Sequence, residues 1–332
     1  MASTIKDIAK ETGLSLSTIS KYLNGGVVRA KNRAAIERAI VKFDFRPNEI
    51  ARGLRSARTK TVGVLVPSFR SVFNGEIASS LEKYLAGYGY AMFMVESGGS
   101  HETEKQKLDF LARKMVDGII VHATHLKKDD FDEIVARKIP LVLLDQDVEG
   151  VDADKVFVDN YRATKEATTY LLSAGHEKIG FVGGPKDHSF TAMERYRGYR
   201  SAIENTGKKI ENKYVKLGEY AVENGYESTR QLLKTGVSAL LYANYDLTLG
   251  GIYALNEKGI NIGEDVSVIG FDDIFFSKLV KPTLSAISQP MDQIACAAAE
   301  LVAHRIQDES LPFETRVLRT AFVKGNSVKE IK

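Results

Sequence analysis

The 332-residue chain has one cysteine, Cys296, so it lacks a partner for an internal disulfide bond. Such cysteine usage is typical of proteins in the reducing cytosol. The sequence also lacks an apolar run near the ~18 residues that a membrane-spanning helix needs. Its start has neither the basic nor the apolar segment of a secretion signal. We therefore expect a cytoplasmic protein with no membrane partner.

Motifs that would indicate an enzyme, a metal or a cofactor are also missing. His122 and His125 lack the paired helical spacing of zinc hydrolases, so we expect them to line a pocket or lie on the surface. Gly183-Gly184-Pro185 lacks both the further glycines of a dinucleotide-binding turn and the lysine of a P-loop. No serine or cysteine has the context of a nucleophile elbow. The sequence predicts a binding protein.

Charge is distributed unevenly along the chain, although the total is nearly balanced. The whole chain has 46 Lys and Arg against 43 Asp and Glu, a net charge of +3. Residues 1–58 carry 12 basic and 5 acidic side chains, a net of +7, whereas the remaining 274 residues have a net of −4. A short basic segment is the electrostatic footprint of a polyanion partner, so the N-terminal part is predicted to bind nucleic acid.

The first residues have the pattern of two short helices joined by a tight turn. Thr4 and Asp7 have the spacing of a capping box, and Gly13 stands where a helix ends in a left-handed conformation. Ser15 is placed to cap a second helix. The apolar positions expected to pack together are Ile5, Ile8, Ile19, Tyr22 and Leu23.

The remaining positions of the second helix lie at its start and on its outer side: Leu16, Ser17, Thr18, Ser20 and Lys21. This is the arrangement of a helix-turn-helix, which presents such residues to the major groove of DNA. A small amphipathic hairpin packed on the next domain fits the same pattern. A third helix over residues 28–45 would close the core, with a buried side formed by Ala34, Ile36, Ile40, Val41 and Phe43.

From Thr61 onwards, continuous apolar runs alternate with helical patterns. This alternation predicts parallel strands buried on both faces. The strands are too many for one sheet, so two similar lobes are expected, with a ligand cleft at the carboxyl ends of the strands. A long helix over Asp292–Gln307 and a last strand near Val317–Phe322 complete the pattern.

Short motifs follow one another over nearly the whole chain: TIKDIA, STISKYLNG, RPNEIARGL, TVGVLVP, VDGII, VDN, GHEKIGFVGG, RYRGYR, VIGFDD and KPTLSAISQP. In this order and spacing they resemble the LacI/GalR family of bacterial transcription repressors. The resemblance implies a helix-turn-helix domain over 1–46, a hinge helix and linker over 47–59, and an effector-binding domain over 60–332. That last domain would be an α/β fold like the periplasmic binding proteins, built from doubly wound parallel sheets. Its first lobe would span about 60–159 and 290–319, and its second about 160–289 and 320–332.

The resemblance also implies which residues contact DNA: Thr4, Leu16, Ser17, Thr18, Ser20, Lys21, Asn24, Asn48, Ala51, Leu54 and Arg55. Leu16 and Ser17 match the positions that select the operator. Lys21 replaces the usual arginine, and an ammonium cannot fork onto guanine as a guanidinium does. Leu54 matches the leucine that wedges between base steps in the minor groove, although an ordinary linker leucine fits there too.

Effector contacts implied by the resemblance are Phe73, Asn74, Thr124, Asp145, Arg195, Tyr220, Asn244 and Asp272, with Asp159 as a further candidate. Arg195 and Asp272 are expected to face each other across the cleft as a clamp for a vicinal diol, or to form a structural ion pair between the lobes. Tyr220 would stack on the ligand ring or belong to the core. Arg70 suggests a phosphorylated or acidic sugar.

Together these patterns predict a transcriptional repressor without a cofactor that binds double-stranded, palindromic operator DNA as a homodimer. A small effector between the lobes (a sugar, sugar acid or sugar phosphate) would act allosterically. The chain ends without a heptad tail, which favours a dimer over a tetramer. The alternatives are a corepressor- or partner-dependent regulator of the same fold, and a sugar-binding protein without a DNA function.

Overall fold

The chain separates into two units, Met1–Thr59 and Lys60–Lys332. A computed structural model describes residues 3–23, 25–45, 58–123, 125–185, 189–273 and 276–331. Within this part of the chain, none of the helices combines the length and the apolar character needed to cross a membrane.

The described residues of the first unit form three helices: α1 (Ile5–Thr12), α2 (Leu16–Leu23) and α3 (Ala30–Lys42). The predicted start of α1 is confirmed, because both the amide and the hydroxyl of Thr4 donate to Asp7 Oδ2 at 2.8 Å. Gly13 ends the helix with φ +66°, a conformation that glycine adopts at little cost. Ser15 Oγ accepts from the amide of Thr18 and so begins α2.

The core of the first unit is made by Ile8, Ile19, Ile36, Ala39 and Phe45, all buried. The predicted buried side of α3 is therefore only partly right. Ala34 is exposed and Val41 is 81% exposed. At about 100° per residue, positions two before and five after Ile36 point away from the face that Ile36 defines.

The described residues of the second unit form two six-stranded sheets surrounded by helices, as the apolar runs predicted. In chain order the elements are β1 (Thr61–Val66), α4 (Val72–Gly87), β2 (Ala91–Glu96), α5 (His101–Arg113), β3 (Gly118–Val121), a 3₁₀ turn (Lys128–Phe131), α6 (Asp132–Ala136), β4 (Leu141–Leu144), β5 (Asp154–Val158), α7 (Asn160–Ser173), β6 (Ile179–Gly183), α8 (Phe190–Glu204), a 3₁₀ turn (Asn212–Tyr214), β7 (Val215–Leu217), α9 (Val222–Leu233), β8 (Ala239–Tyr242), α10 (Tyr245–Glu257), β9 (Ser267–Phe271), α11 (Phe276–Leu279), β10 (Ser285–Ser288), α12 (Met291–Gln307), β11 (Thr315–Leu318) and β12 (Ala321–Val323).

The two sheets define two lobes of this unit. In the first lobe the strand order is β11-β5-β4-β3-β1-β2, and all pairs are parallel. In the second lobe the order is β12-β10-β9-β8-β6-β7, and β12 pairs antiparallel with β10 whereas the other pairs are parallel. The single last strand predicted near Val317–Phe322 is wrong, because the segment divides into β11 and β12, one in each sheet.

Helix α12 returns the chain to the first lobe and supplies much of its core, including Ile294, Leu301 and Ile306. Arg305 near its end is 6% exposed and forms a two-point ion pair with the buried Asp154 of β5, with N–O distances of 2.5 and 3.0 Å. Such a pair fixes the orientation of α12 on the sheet, since either charge alone would be costly to bury.

Helices in the second lobe pack closely where they carry glycine. At Gly198 of α8, a Cβ atom would lie 2.2 Å from the carbonyl oxygen of Tyr161 in α7. The missing side chain therefore lets the two helix backbones touch. This contact holds α8 against the start of α7, where Arg195 of α8 donates to Asn160.

Candidate functional site

The outward side of α2 is the candidate DNA-reading surface of the first unit. Leu16 is 46% exposed, and Ser17 and Lys21 are exposed, whereas Ile19 is fully buried. Ser17 and Lys21 are four residues apart and share one helix face. Thr18 and Ser20 are half-buried beside them. Ser17 and Lys21 thus lie on the face opposite the core, Thr18 and Ser20 flank it, and Leu16 is exposed at the start of the helix.

The end of α2 is fixed by Gly25 and Gly26. The Gly26 amide donates to the Lys21 carbonyl at 2.8 Å and the Gly25 amide to the Tyr22 carbonyl at 3.0 Å, with Gly25 at φ +77°. This is the hydrogen-bond pattern of a Schellman motif. A Cβ on Gly26 would lie 2.6 Å from Lys21 Cγ, so glycine leaves room for the lysine stem.

Several predicted contact residues fall outside the described part of the chain: Asn24, Asn48, Ala51, Leu54, Arg55 and Thr124. Thr4 is described and serves as the cap of α1. Arg29 precedes α3 and forms no side-chain cap hydrogen bond.

A cavity of about 460 Å³ opens between the two lobes of the second unit. It lies where strands end and helices begin. Polar side chains at those boundaries include the caps Ser71 of α4 and Asn244 of α10, whose side chains accept from amides of the first helical turn. The predicted effector residues that line this cavity are Phe73, Asn74, Asp145, Arg195, Tyr220, Asn244 and Asp272.

Asp159 does not line the cavity. Its Oδ1 accepts from the amide of Arg162 at 3.0 Å and caps α7. The interpretation of Asp159 as a ligand contact is therefore not supported, because its side chain caps α7 outside the cavity lining.

Arg195 is the most constrained side chain of the cavity and is only 3% exposed. Its Nε donates to Asn160 Oδ1 at 2.7 Å and its Nη1 to the carbonyl of Ala243 at 2.5 Å. Its Nη2 lies 3.9 Å from Asp145 Oδ2. The guanidinium carbon also lies 3.7 Å from the ring centroid of Phe271, a cation–π contact within a desolvated site.

The predicted position of Asp272 opposite Arg195 across the cleft is wrong. Arg195 comes from α8 and Asp272 follows β9, and both elements belong to the second lobe. Asp145, which follows β4, is the first-lobe carboxylate that approaches Arg195. The charge pair between the lobes is therefore Arg195 with Asp145, at 3.9 Å too long for a hydrogen bond.

Asp145 and Asp272 share an unusual backbone conformation, with φ of +53° and +71°. Left-handed residues other than glycine are uncommon and accumulate at functional sites. Asp272 is held by Gln289, whose Nε2 donates to Oδ1 at 2.6 Å, and by the Tyr245 amide, which donates to Oδ2 at 3.3 Å. Burial raises the pKa of the Asp272 carboxyl, and the positive charge of Arg195 partly opposes that shift.

The first-lobe wall contains a half-buried histidine, His122. His122 Nδ1 is hydrogen-bonded to Asn74 Oδ1 at 2.9 Å, and Asn74 Nδ2 donates to the Ser68 carbonyl at 2.7 Å. Phe73 packs against the imidazole with ring centroids 5.5 Å apart. Burial lowers the pKa of His122, so the ring is neutral at neutral pH. His122 and His125 both line the cavity, and the described residues hold no group of three or more His, Cys, Asp or Glu that could bind a metal ion.

Tyr220 lies over a glycine. A Cβ on Gly184 would lie 2.3 Å from Cζ of the Tyr220 ring. The glycine that directly follows β6 therefore makes room for an aromatic side chain in the cavity wall, rather than for a phosphate.

Some lining residues were missed at the sequence level, notably Asp246, Gln289 and Thr191. Asp246 is in the first turn of α10, two residues after the cap Asn244. Gln289 stands between β10 and α12, at a crossing between the lobes. Gln289 directly follows β10, at the edge where ligands of such sheets bind, so its signal was present in the sequence, whereas Asp246 and Thr191 lie in the first turns of helices.

Comparison with known proteins agrees with this architecture. Residues 4–48 match the family model "Bacterial regulatory proteins, lacI family", and residues 59–324 match "Periplasmic binding proteins and sugar binding domain of LacI family". The chain belongs to the LacI family. The enzyme alternative is thereby set aside, because the LacI-family relatives are transcriptional regulators.

Individual LacI-family relatives align over almost their whole length. The transcriptional repressor PurR of Haemophilus influenzae (strain PittEE) is 33% identical, with 99% of each chain covered. Catabolite control protein A of Priestia megaterium is 29% identical, covering 93% of this chain and 94% of the relative. The structure of the regulator CelR in complex with cellobiose has a TM-score of 0.73 at 26% identity, covering 98% of this chain and 99% of the other.

We predict that Asp272→Asn removes a pH-dependent loss of stability from this LacI-family protein in the absence of ligand. The folded-state pKa of Asp272 is raised by burial. Its stabilising contribution is therefore complete below the unfolded pKa of about 3.9 and is lost as pH rises through the folded value. Asparagine avoids that loss and tolerates positive φ, although it keeps only one of the two hydrogen bonds that the carboxylate accepts. The melting temperature of the variant relative to the wild type should therefore rise by about 2–4 °C between pH 5 and pH 8.

Differential scanning calorimetry at the two pH values measures this difference. Asp152→Asn, at an exposed carboxylate, is the control and should leave the melting temperature within about 1 °C. A melting-temperature difference between Asp272→Asn and the wild type that falls between pH 5 and pH 8 would show instead that the ionised carboxylate stabilises the fold.

Proposed function

We propose that this LacI-family regulator represses transcription by binding a pseudo-palindromic operator as a homodimer, and that a sugar-like ligand in the cleft of the second unit controls its affinity for DNA. The observation that carries the proposal is the polar cavity between the lobes, in a chain whose first unit is a helix-turn-helix. A protein with this role would work in the bacterial cytoplasm.

The dimensions and chemistry of the cavity support a small hydroxylated ligand. About 460 Å³ lies in the range of small-molecule sites. Carboxylates such as Asp145 and Asp272 accept hydrogen bonds from hydroxyl groups, and Tyr220 offers a ring face. The family model of this unit describes a sugar-binding domain, and cellobiose is the ligand of the related CelR structure.

Coupling between ligand and DNA would act through the relative position of the lobes. Asp145 of the first lobe and Arg195 of the second lobe meet at 3.9 Å, so a ligand that contacts either residue changes the balance between lobe arrangements. Residues 47–59 would transmit the change as a hinge, with Leu54 inserted into the minor groove. In the main proposal, ligand binding lowers the affinity for operator DNA. In the alternative, the ligand is a corepressor that binds in the same cleft and raises that affinity.

An exposed apolar surface of the second lobe supports dimer formation. Val222 of α9 and Tyr253 of α10 are 38% and 59% exposed. The ring of Tyr226 lies 5.2 Å from that of Tyr253. Exposed aromatic and aliphatic side chains grouped in this way are typical of protein–protein interfaces.

Lys21→Met should weaken operator binding without changing ligand binding. The exposed ammonium is on the outer face of α2, where it would contact a base or a phosphate. A duplex selected from a randomised library by the wild-type protein serves as the operator. We expect its dissociation constant, measured by fluorescence anisotropy, to rise about tenfold or more.

Lys234→Met, which removes an exposed charge from the second unit, is the matched control and should bind the duplex as the wild type does. Lys21→Arg should retain binding and sharpen discrimination at guanine positions, since a guanidinium bonds to two guanine acceptors. Equal affinity of Lys21→Met and the wild type would remove Lys21 from the interface. Failure of the wild-type protein to select any duplex would favour the alternative without a DNA function.

Tyr253→Asp should weaken the dimer. A carboxylate in the centre of a desolvated interface costs about 2 kcal/mol or more, which raises the dimer dissociation constant by roughly 30-fold or more. Sedimentation velocity over a concentration series measures the constant. Leu311→Asp, at a residue that is 40% exposed on the first lobe, is the control, and an unchanged constant for Tyr253→Asp would place the dimer interface elsewhere.

A further inference from the structure

The lining of the cleft has an excess of acidic side chains. Of the described residues that line it, two carry guanidinium groups, Arg70 and Arg195. Five carry carboxylates: Glu96, Asp145, Glu219, Asp246 and Asp272. Carboxylates accept hydrogen bonds from any hydroxyl group, but this excess also repels anions.

The two arginines offset this excess only in part. Arg195 donates to Asn160 and Ala243, and its Nη2 lies 3.9 Å from Asp145, so its single positive charge is shared between Asp145 and Asp272. Four negative charges would remain if every carboxyl group in the lining were ionised and only Arg195 were counted against them. Arg70 is exposed on the segment between β1 and α4, where solvent screens its charge.

The side chain of Gln289 presents a buried hydrogen-bond acceptor to the cleft. Gln289 is 7% exposed, and its Nε2 donates to Asp272. Its Oε1 is buried and has no hydrogen-bond partner within the described part of the chain. A buried acceptor without a donor is costly, so a ligand that brings donors to this point gains the full benefit of satisfying it.

Asp246 and Asp272 line the cleft together with Gln289, and the amide of Tyr245, the residue before Asp246, donates to Asp272. Burial raises the pKa of Asp246, and the nearby charge of Asp272 raises it further. The pKa of Asp272 is likewise raised by burial, with Arg195 opposing. A cation placed between the two carboxylates would remove both penalties, because opposite charge favours the ionised forms.

We infer that the ligand of this cleft is a hydroxylated molecule with a protonated amine, such as an amino sugar, whose ammonium group lies among Asp246, Asp272 and Gln289 Oε1. An ammonium supplies three donors and one positive charge, which match two carboxylates and one unpaired carbonyl oxygen. This inference rests on the proposed function of the cleft and specifies its ligand class. It opposes the acidic or phosphorylated sugar that Arg70 suggested from the sequence.

The test is a matched ligand panel with the full-length protein. Glucosamine, galactosamine and mannosamine are compared with their N-acetyl derivatives, with the parent neutral sugars, and with the corresponding 6-phosphates and uronic acids. Calorimetry measures affinity, and thermal shift measures stabilisation. We expect at least one amine to bind about tenfold or more tightly than its N-acetyl and neutral counterparts, and its affinity to fall in 0.5 M salt.

Asp246→Asn separates the charge from the shape of the site. It should lower affinity for the amine about tenfold or more, towards that of the neutral sugar, while the neutral sugar binds as before. Asp132→Asn also removes a carboxylate from the first turn of a helix, α6, but outside the cleft, and should change neither affinity.

The outcomes distinguish the two proposals. If a neutral sugar, a phosphate or a uronic acid binds as tightly as or more tightly than every amine, the inference is overturned and the proposed ligand function stands. If Asp246→Asn leaves amine affinity unchanged, the assigned position of the ammonium is wrong. If no member of the panel stabilises the protein or alters operator binding, both the inference and the sugar-controlled function fail.

Discussion

A single buried guanidinium sets the arrangement of the cleft. Arg195 stays protonated in any protein environment, so its charge must be met by acceptors when its side chain is removed from water. Those acceptors come from the start of α7, the end of β8 and the segment after β4: Asn160, Ala243 and Asp145. Because these positions lie at strand ends of both lobes, satisfying one charge also positions the surfaces that a ligand contacts.

The same constraint explains how a ligand can affect the whole molecule. Two of the three acceptors of Arg195 belong to the second lobe, whereas Asp145 belongs to the first. The separation of Arg195 and Asp145 therefore depends on how the lobes meet. A ligand shifts such an equilibrium only by the difference between its affinities for the two arrangements. Contacts to Asp145 on one side and Asp272 on the other would supply that difference.

Local features of the structure followed directly from the sequence. Examples are the cap at Thr4 and Asp7, the helix end at Gly13 and the start of α2 at Ser15. Each involves residues within four positions of one another, so neighbouring residues in the sequence determine it. The two series of apolar runs likewise predicted two sheets. The lobe to which Asp272 belongs depends instead on the strand order. Asp272 follows β9, which pairs with β8 in the second sheet, and neighbouring residues in the sequence do not determine that pairing. Gln289 was missed for the same reason, since its partner Asp272 lies 17 residues away along the chain.

The central claim is that occupancy of the cleft changes operator affinity. The direct measurement is the dissociation constant of the full-length protein for a selected operator duplex, taken without ligand and with the cleft saturated by a ligand whose binding calorimetry has established. We expect a change of about 5- to 150-fold, the range of typical allosteric coupling. Identical operator affinity at zero and full occupancy would contradict it, because two sites without a coupling free energy cannot form a switch.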